Sequence, residues 1–173
     1  KNSCVTMVGA GGLGSVILYY LAAAGIGCIR IVDNDIVSLS NLQRQILFKD
    51  EDVGKKKVVA AKKNLLDLNS HLNIETFDEK FSEKSSRKLI KNCDVLIDGT
   101  DNFKSKSSIC KIAFKETIPL VYGGLSQWEG QICVFDPKSA SICFGCIFPN
   151  DPGQEFEDSC LNFGIIGPTV GVI

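Results

Sequence analysis

Six residues near the start, "GAGGLG" (Gly9 to Gly14), restrict the fold more than any other part of this 173-residue chain. They follow "CVTMV", a short apolar run of strand type. They lead into "LGSVILYYLAAAG" (Leu13 to Gly25), which is apolar almost all round and closes on a glycine, as helices do. A strand that turns through G-x-G-x-x-G directly into a helix begins a parallel α/β sheet that binds nucleotides. Gly9, Gly11, Gly12 and Gly14 let the backbone come close to a phosphate, and unpaired N–H groups at the helix start favour anionic oxygen. Asp33 closes the next apolar strand, "CIRIVD", where an acid can accept hydrogen bonds from ribose hydroxyls. A loop and an acid of this kind suit NAD and ATP equally.

The rest of the chain keeps the alternation. "GKKKVVAAKKNLLDLN" (Gly54 to Asn69) has an amphipathic helical pattern with its lysines on a solvated face, and "NIETF" (Asn73 to Phe77) reads as a strand. A helix over Ser82 to Lys91 precedes the strand "DVLIDG" (Asp94 to Gly99), and a helix over Asn102 to Glu116 precedes the strand "PLVYGG" (Pro119 to Gly124). Near-continuous apolar strands between helices predict a Rossmann-like α/β fold, a mostly parallel sheet with helices on both faces. After residue 125 the pattern alternates more, with a turn expected at Glu129–Gly130 and strands added beside the main sheet. Residues 1–173 read as a single domain without repeat or linker, long enough for a substantial core. Lys1 at one end and the apolar "GIIGPTVGVI" at the other suggest an internal fragment.

Composition excludes some partners. A net charge of -1 gives no electrostatic case for nucleic acid or an anionic membrane surface. The longest apolar stretch, Val16 to Ile26, is too short to span a bilayer, and no signal peptide is visible. Of eight cysteines, Cys4, Cys28 and Cys133 fall in expected strands and Cys93 just before one. They read as small buried apolar residues of a reducing cytoplasm rather than a disulfide framework. Cys143 and Cys146, in "CFGC", have the spacing of metal ligands.

The stretch "IVDNDIVSLSNLQRQ" separates the two nucleotides. A dinucleotide's pyrophosphate is largely satisfied by backbone amides, whereas a triphosphate carries extra charge that calls for fixed cations. Arg44 offers a guanidinium and Lys57 an ammonium in the first turn of the next helix. Asp101, in "DGTDN" after a strand, lies where such sheets keep ligands and is a natural Mg²⁺ ligand beside phosphates. Taken singly, Arg44 is a solvated loop residue, Lys57 a solvated lysine among lysines, and Asp101 a helix cap. Together beside the glycine loop they favour ATP.

"GAGGLG", "VDNDIVSLSNLQRQILF", "DGTDNF" and "GPTVGVI" together resemble the MoeB/ThiF/HesA family of ATP-dependent adenylyltransferases, relatives of the ubiquitin-activating enzymes. The resemblance implies ATP-binding positions at Gly12, Asp33, the run Ser40, Asn41, Gln43 and Arg44, then Lys57, Asp101 and Asn102. Asp35 belongs to the same stretch and is taken with them. It also implies a homodimer, in which a partner arginine completes the site, and a substrate, the C-terminal Gly-Gly carboxylate of a ubiquitin-like sulfur carrier of MoaD or ThiS type. The products are an acyl-adenylate and pyrophosphate, in molybdopterin or thiamine-thiazole biosynthesis. A carboxylate is already ionised at neutral pH, so no general base is needed; His71, in a polar "NSHLN" segment, is expected at the surface. Lys106 and Cys110 depart from the family pattern, which has arginine and asparagine there.

The same resemblance makes Cys143 and Cys146 half of a four-cysteine structural zinc site. It places Cys160 where some relatives carry a cysteine that links covalently to the carrier. Glu157 and Asp158 beside Cys160 would raise a thiol pKa, so an accessory role is expected for it. Two other readings remain. An NAD-dependent oxidoreductase fits the glycine loop but leaves Arg44, Lys57 and Asp101 without work; a non-catalytic nucleotide-binding or carrier-docking module is the reading open to a fragment without both ends.

Overall fold

The computed structural model describes residues 1–126, 129–139, 142–149 and 166–173. Strands β1 (Cys4–Val8), β2 (Cys28–Val32), β3 (Asn73–Phe77), β4 (Val95–Asp98), β5 (Leu120–Ser126) and β6 (Glu129–Phe135) form one sheet in the order β3-β2-β1-β4-β5-β6. The first five run parallel and β6 returns antiparallel to β5. The helices are α1 (Gly12–Ala24), α2 (Lys57–Leu68), α3 (Glu83–Leu89), α4 (Phe103–Lys115), a single turn α5 (Phe144–Ile147) and α6 (Ile166–Val172).

Both faces of the sheet are covered, and neighbouring residues of one strand show it. Met7 and Ile97 belong to the apolar core that includes Leu18 of α1 and Leu65 of α2. Val8 and Leu96, next to them in sequence, belong to a second core with Ile109 and Ile112 of α4. Side chains alternate across a strand, so a strand that is apolar throughout feeds two cores at once. The sheet order also places the site. Successive strands are laid to one side of β1 as far as β3 and to its other side from β4 onward, and this switch opens a crevice at the carboxyl ends of β1 and β4.

The elements foreseen from sequence are present with ends shifted by a few residues. Gly25 ends α1 in the left-handed region (φ 72°), a conformation open to glycine at little cost. Ser82 caps α3, its side chain accepting from the backbone N–H of Ser85. One expectation needs correction: Glu129 and Gly130 are not a turn but the first two residues of β6, paired with Ser126 and Leu125. Gly130 is there because a Cβ would stand 2.2 Å from Cγ2 of Val170 in α6. No helix among the described residues is long and apolar enough to cross a membrane.

The long segment between β2 and α2 has little regular structure, yet it is fastened. Asp52 is fully buried and accepts from Asn64 Nδ2 (2.8 Å), the backbone N–H of Lys49 (3.1 Å) and Lys55 Nζ (3.1 Å). Asn64 Nδ2 also donates to the Leu47 carbonyl at 2.8 Å, tying the loop to α2. Burial alone would push the Asp52 carboxyl up, but the hydrogen bonds from Asn64, Lys49 and Lys55 outweigh it and hold the pKa below its ordinary value. Asp52→Ala, which leaves these donors without their acceptor, is expected to lower unfolding free energy by about 2 kcal/mol. A depressed folded pKa gives stability that is fully present above the unfolded carboxyl value and lost as pH falls through the folded one. Urea melts should therefore show the gap between wild type and Asp52→Ala at neutral pH and its narrowing in acid. A gap that persists undiminished in acid would contradict the charge-based account.

Candidate functional site

The loops that follow β1 and β4 touch through bare backbone. Gly9 has φ 91°, and a Cβ on it would stand 2.9 Å from the Gly99 carbonyl oxygen. A Cβ on Gly14 would stand 2.0 Å from the Gly9 carbonyl oxygen, so the start of α1 packs against the end of β1 only because both residues lack side chains. Gly14 is thus buried beneath the loop and does not face the open side. Above the two loops lies a cleft of about 370 Å³, lined by Gly9, Gly11 and Gly12 on one side and by Gly99, Thr100, Asp101 and Asn102 on the other. No side chain caps the N-terminus of α1, whose first amides are left for a ligand.

Asp33 holds this loop in place. Its Oδ2 accepts from the Ala10 N–H at 2.7 Å and its Oδ1 from the Asp35 N–H at 2.8 Å. The acid expected to read a ribose therefore also fixes the glycine loop, while still lining the cleft.

The cations are buried, not solvated. Arg44 is 6% exposed and Lys57 5%, and both line the cleft. Arg44 packs its aliphatic stem over Gly12 and donates from Nη1 to the Ser40 carbonyl at 3.1 Å, while its Nε–H is buried without a partner. Lys57 donates from Nζ to Asp35 Oδ2 at 2.9 Å. Lys56, one residue earlier, is exposed and pairs with Asp78 at 3.3 Å, away from the cleft lining. Asn41 lines the cleft, with its Oδ1 engaged by the Ser38 N–H at 3.1 Å. Ser40 and Gln43, expected in the site from sequence, are exposed and stand outside the cleft lining; Ser40 serves through its carbonyl.

At the other loop, the helix cap is Asn102, whose Oδ1 accepts from the Ser105 N–H at 2.9 Å. Asp101 is exposed, lines the cleft and makes no hydrogen bond or ion pair among the described residues. Its capping role, the bland expectation, is thereby removed. Beneath it Asp98 is fully buried and accepts from the Thr100 N–H (2.9 Å) and hydroxyl (2.6 Å). Lys106 supports that floor from below: its Nζ donates to the Gly123 carbonyl and to Asp98, and lies 4.8 Å from the Tyr122 ring centre. Burial pushes the Tyr122 hydroxyl up to about 12.

Cys143 precedes α5 and Cys146 lies within it, with their sulfurs 3.5 Å apart. Two sulfurs bound to one tetrahedral zinc stand about 3.8 Å apart, so the pair has the reach of a half-site. The hydrogen bond from Cys146 draws the Cys143 thiol below its ordinary range. Phe144, between them, packs on Phe103 of α4 (5.0 Å between ring centres) and on Tyr122 (5.5 Å), which holds the turn against the domain. No group of three or more candidate metal ligands occurs among the described residues. Cys160 lies outside them.

Sequence reading missed several contributors to the cleft. Gln45 is the last residue of "SNLQRQ" and was legible there; Asn34, Thr100 and Ser105 sit beside residues that were picked. Glu79, Lys80 and Phe81, after β3, reach the cleft through sheet order, which no local pattern reveals.

A profile of the ThiF family matches residues 1–173, the whole chain. The chain belongs to the ThiF family. Among its relatives, a probable molybdopterin-synthase adenylyltransferase of Porphyra purpurea is 41% identical over 177 residues, covering 100% of this chain and 45% of the relative. The sulfur carrier protein adenylyltransferase of Thermus thermophilus is 34% identical, covering 100% and 65%. This ThiF-family chain thus spans less than two thirds of either relative. Among solved structures, E. coli MccB with selenomethionine MccA superposes with a TM-score of 0.78 at 28% identity, covering 84% of this chain and 44% of that one.

With Asn102 as the cap, Asn102→Ala is expected to cost about 1 kcal/mol of stability. Asp101→Ala should leave stability essentially unchanged. Thermal melts of the two variants check this, and an equal loss in both would restore a capping role to Asp101.

Proposed function

We propose that this protein is an ATP-dependent adenylyltransferase that activates the C-terminal Gly-Gly carboxylate of a ubiquitin-like sulfur carrier. The observation that carries the reading is the buried Arg44 Nε–H without a protein partner, in a cleft floored by glycine backbone and flanked by buried Lys57. A desolvated donor held open in this way suits a phosphate oxygen. The names of the Porphyra and Thermus relatives support the activity, and the former favours a carrier of the molybdopterin pathway, MoaD-like rather than ThiS-like.

In this mechanism the carrier carboxylate oxygen attacks the α-phosphorus of ATP. An acyl–phosphate bond forms, the bond from phosphorus to the bridging oxygen breaks, and that oxygen leaves with pyrophosphate. The work of the chain is positioning and charge compensation. The amides at the start of α1 hold phosphate oxygens, while Arg44 and Lys57 offset the charge that grows on the leaving group. Binding draws Lys57 from Asp35 toward the phosphates. Asp33 accepts from ribose hydroxyls with the lone pairs that Ala10 and Asp35 leave free.

Asp101 fits a Mg²⁺ ion, being an exposed carboxylate with no protein partner among the described residues, in a cleft suited to polyphosphate. The ion would supply charge neutralisation at the triphosphate. Cys143 and Cys146 fit half of a structural zinc site, as their sulfur separation allows. The protein works in the cytoplasm as a homodimer, the partner adding a cation to the triphosphate as the family resemblance implies.

Carrier-dependent exchange of labelled pyrophosphate into ATP tests the whole reading. Exchange should be abolished in Asp101→Ala and reduced on the order of a hundredfold in Arg44→Ala and Lys57→Ala. Lys56→Ala should exchange like wild type. Near-normal exchange in folded Asp101→Ala rejects the metal role, and equal losses at Lys56 and Lys57 reject the site geometry. Binding of ATP without exchange would indicate a non-catalytic module, and preferential binding of NAD an oxidoreductase.

A further inference from the structure

Gln45 has no place in the mechanism above, yet its setting is that of a ligand-binding group. Its side chain is 3% exposed and lines the cleft between Arg44 and the glycine loop. The backbone N–H of Gln45 donates to the Asn41 carbonyl at 2.9 Å, which fixes where the side chain starts. Its Nε2 lies 3.9 Å from the position a Cβ on Gly11 would take. Oε1 is enclosed without a partner, and the amide makes no hydrogen bond to any described residue. A buried polar atom left without a partner costs stability. The two enclosed atoms left without a partner here, Arg44 Nε and Gln45 Oε1, come from adjacent residues that line one cleft, and Gln45 Nε2, beside Gly11, is likewise unbonded to any described residue.

We infer that Gln45 is a further phosphate-binding residue, its amide N–H donating to a phosphate oxygen that also meets the α1 amides. An amide can present a donor or an acceptor, and beside uncapped helix amides and a guanidinium the ligand atom is an anionic oxygen, which takes the donor. The inference rests on the nucleotide reading and deepens it. It assigns Gln45 to the polyphosphate and leaves the nucleoside to other groups.

The test compares Gln45→Glu, which replaces the donor by an anion of the same shape, with Gln45→Met, which removes polarity and keeps the length. Titration calorimetry of the full-length protein with ATP, ADP and adenosine gives the readout. Gln45→Glu should bind ATP and ADP at least tenfold more weakly than wild type and Gln45→Met several-fold more weakly, with adenosine unchanged in both. Thermal melts show that each variant is folded. If Gln45→Glu is unfolded, Gln45→Met alone decides. ATP affinity equal to wild type in the folded variants overturns the inference, as does an equal loss for adenosine. Absence of ATP binding in wild type sinks the nucleotide reading itself, a distinct outcome.

Discussion

The loops after β1 and β4 meet without room for a single methyl group. Gly9 and Gly99 come together backbone to backbone, and Gly14 brings the first turn of α1 down onto the same spot. Everything in the cleft takes its position from that contact. It sets the distance between the α1 amides and the loop carrying Asp101, and it leaves the floor of the cleft made of peptide groups, which do not change rotamer. Asp33 adds a second restraint, since its carboxylate bonds both the glycine loop and the start of the segment carrying Arg44.

On this floor the protein keeps two cations out of water. Desolvating a charge is costly unless polar partners compensate. For Lys57 the compensation is Asp35, and for Arg44 it is incomplete, one guanidinium nitrogen bonding the Ser40 carbonyl and another bonding nothing. Groups already stripped of water and fixed in direction interact strongly with an incoming anion, because little reorganisation remains. Buried Asp52 belongs to the same design. It stabilises an irregular segment that has few backbone ladders of its own, so that Arg44 is presented from a firm base.

Much of the fold was legible because its strands and helices are consistent with one another at the level of local pattern. Apolar strands, a glycine-closed helix and an amphipathic helix each announced themselves, and the parallel sheet followed. What local pattern could not give was strand order, and with it the approach of Glu79, Lys80 and Phe81 to the cleft. Within the site, residue type pointed to Arg44, Lys57 and Asp101 but misjudged their surroundings. The two cations are buried where a polar loop and a lysine-rich helix suggested solvent, because Arg44 lies over Gly12 and Lys57 turns toward Asp35. Asn102 took the cap that Asp101 could have filled, since the helix starts one residue later. The Glu129–Gly130 turn failed because a glycine was read as a bend, whereas its role is to admit Val170.

α6 lies directly on α1. A Cβ on Gly171 would stand 2.8 Å from the Leu13 carbonyl oxygen and 3.3 Å from Val16 Cβ, and Gly167 sits next to Gly12. The outer side of the first helix is therefore roofed by residues from the far end of the chain. On a ribosome, α1 emerges well ahead of α6 with Leu13 and Val16 uncovered, and they stay so until residue 166 and its neighbours have left the exit tunnel. Until then the most apolar helix of the domain is a target for chaperones or for other nascent chains. The helix that opens the cleft is synthesised well before the helix that encloses it.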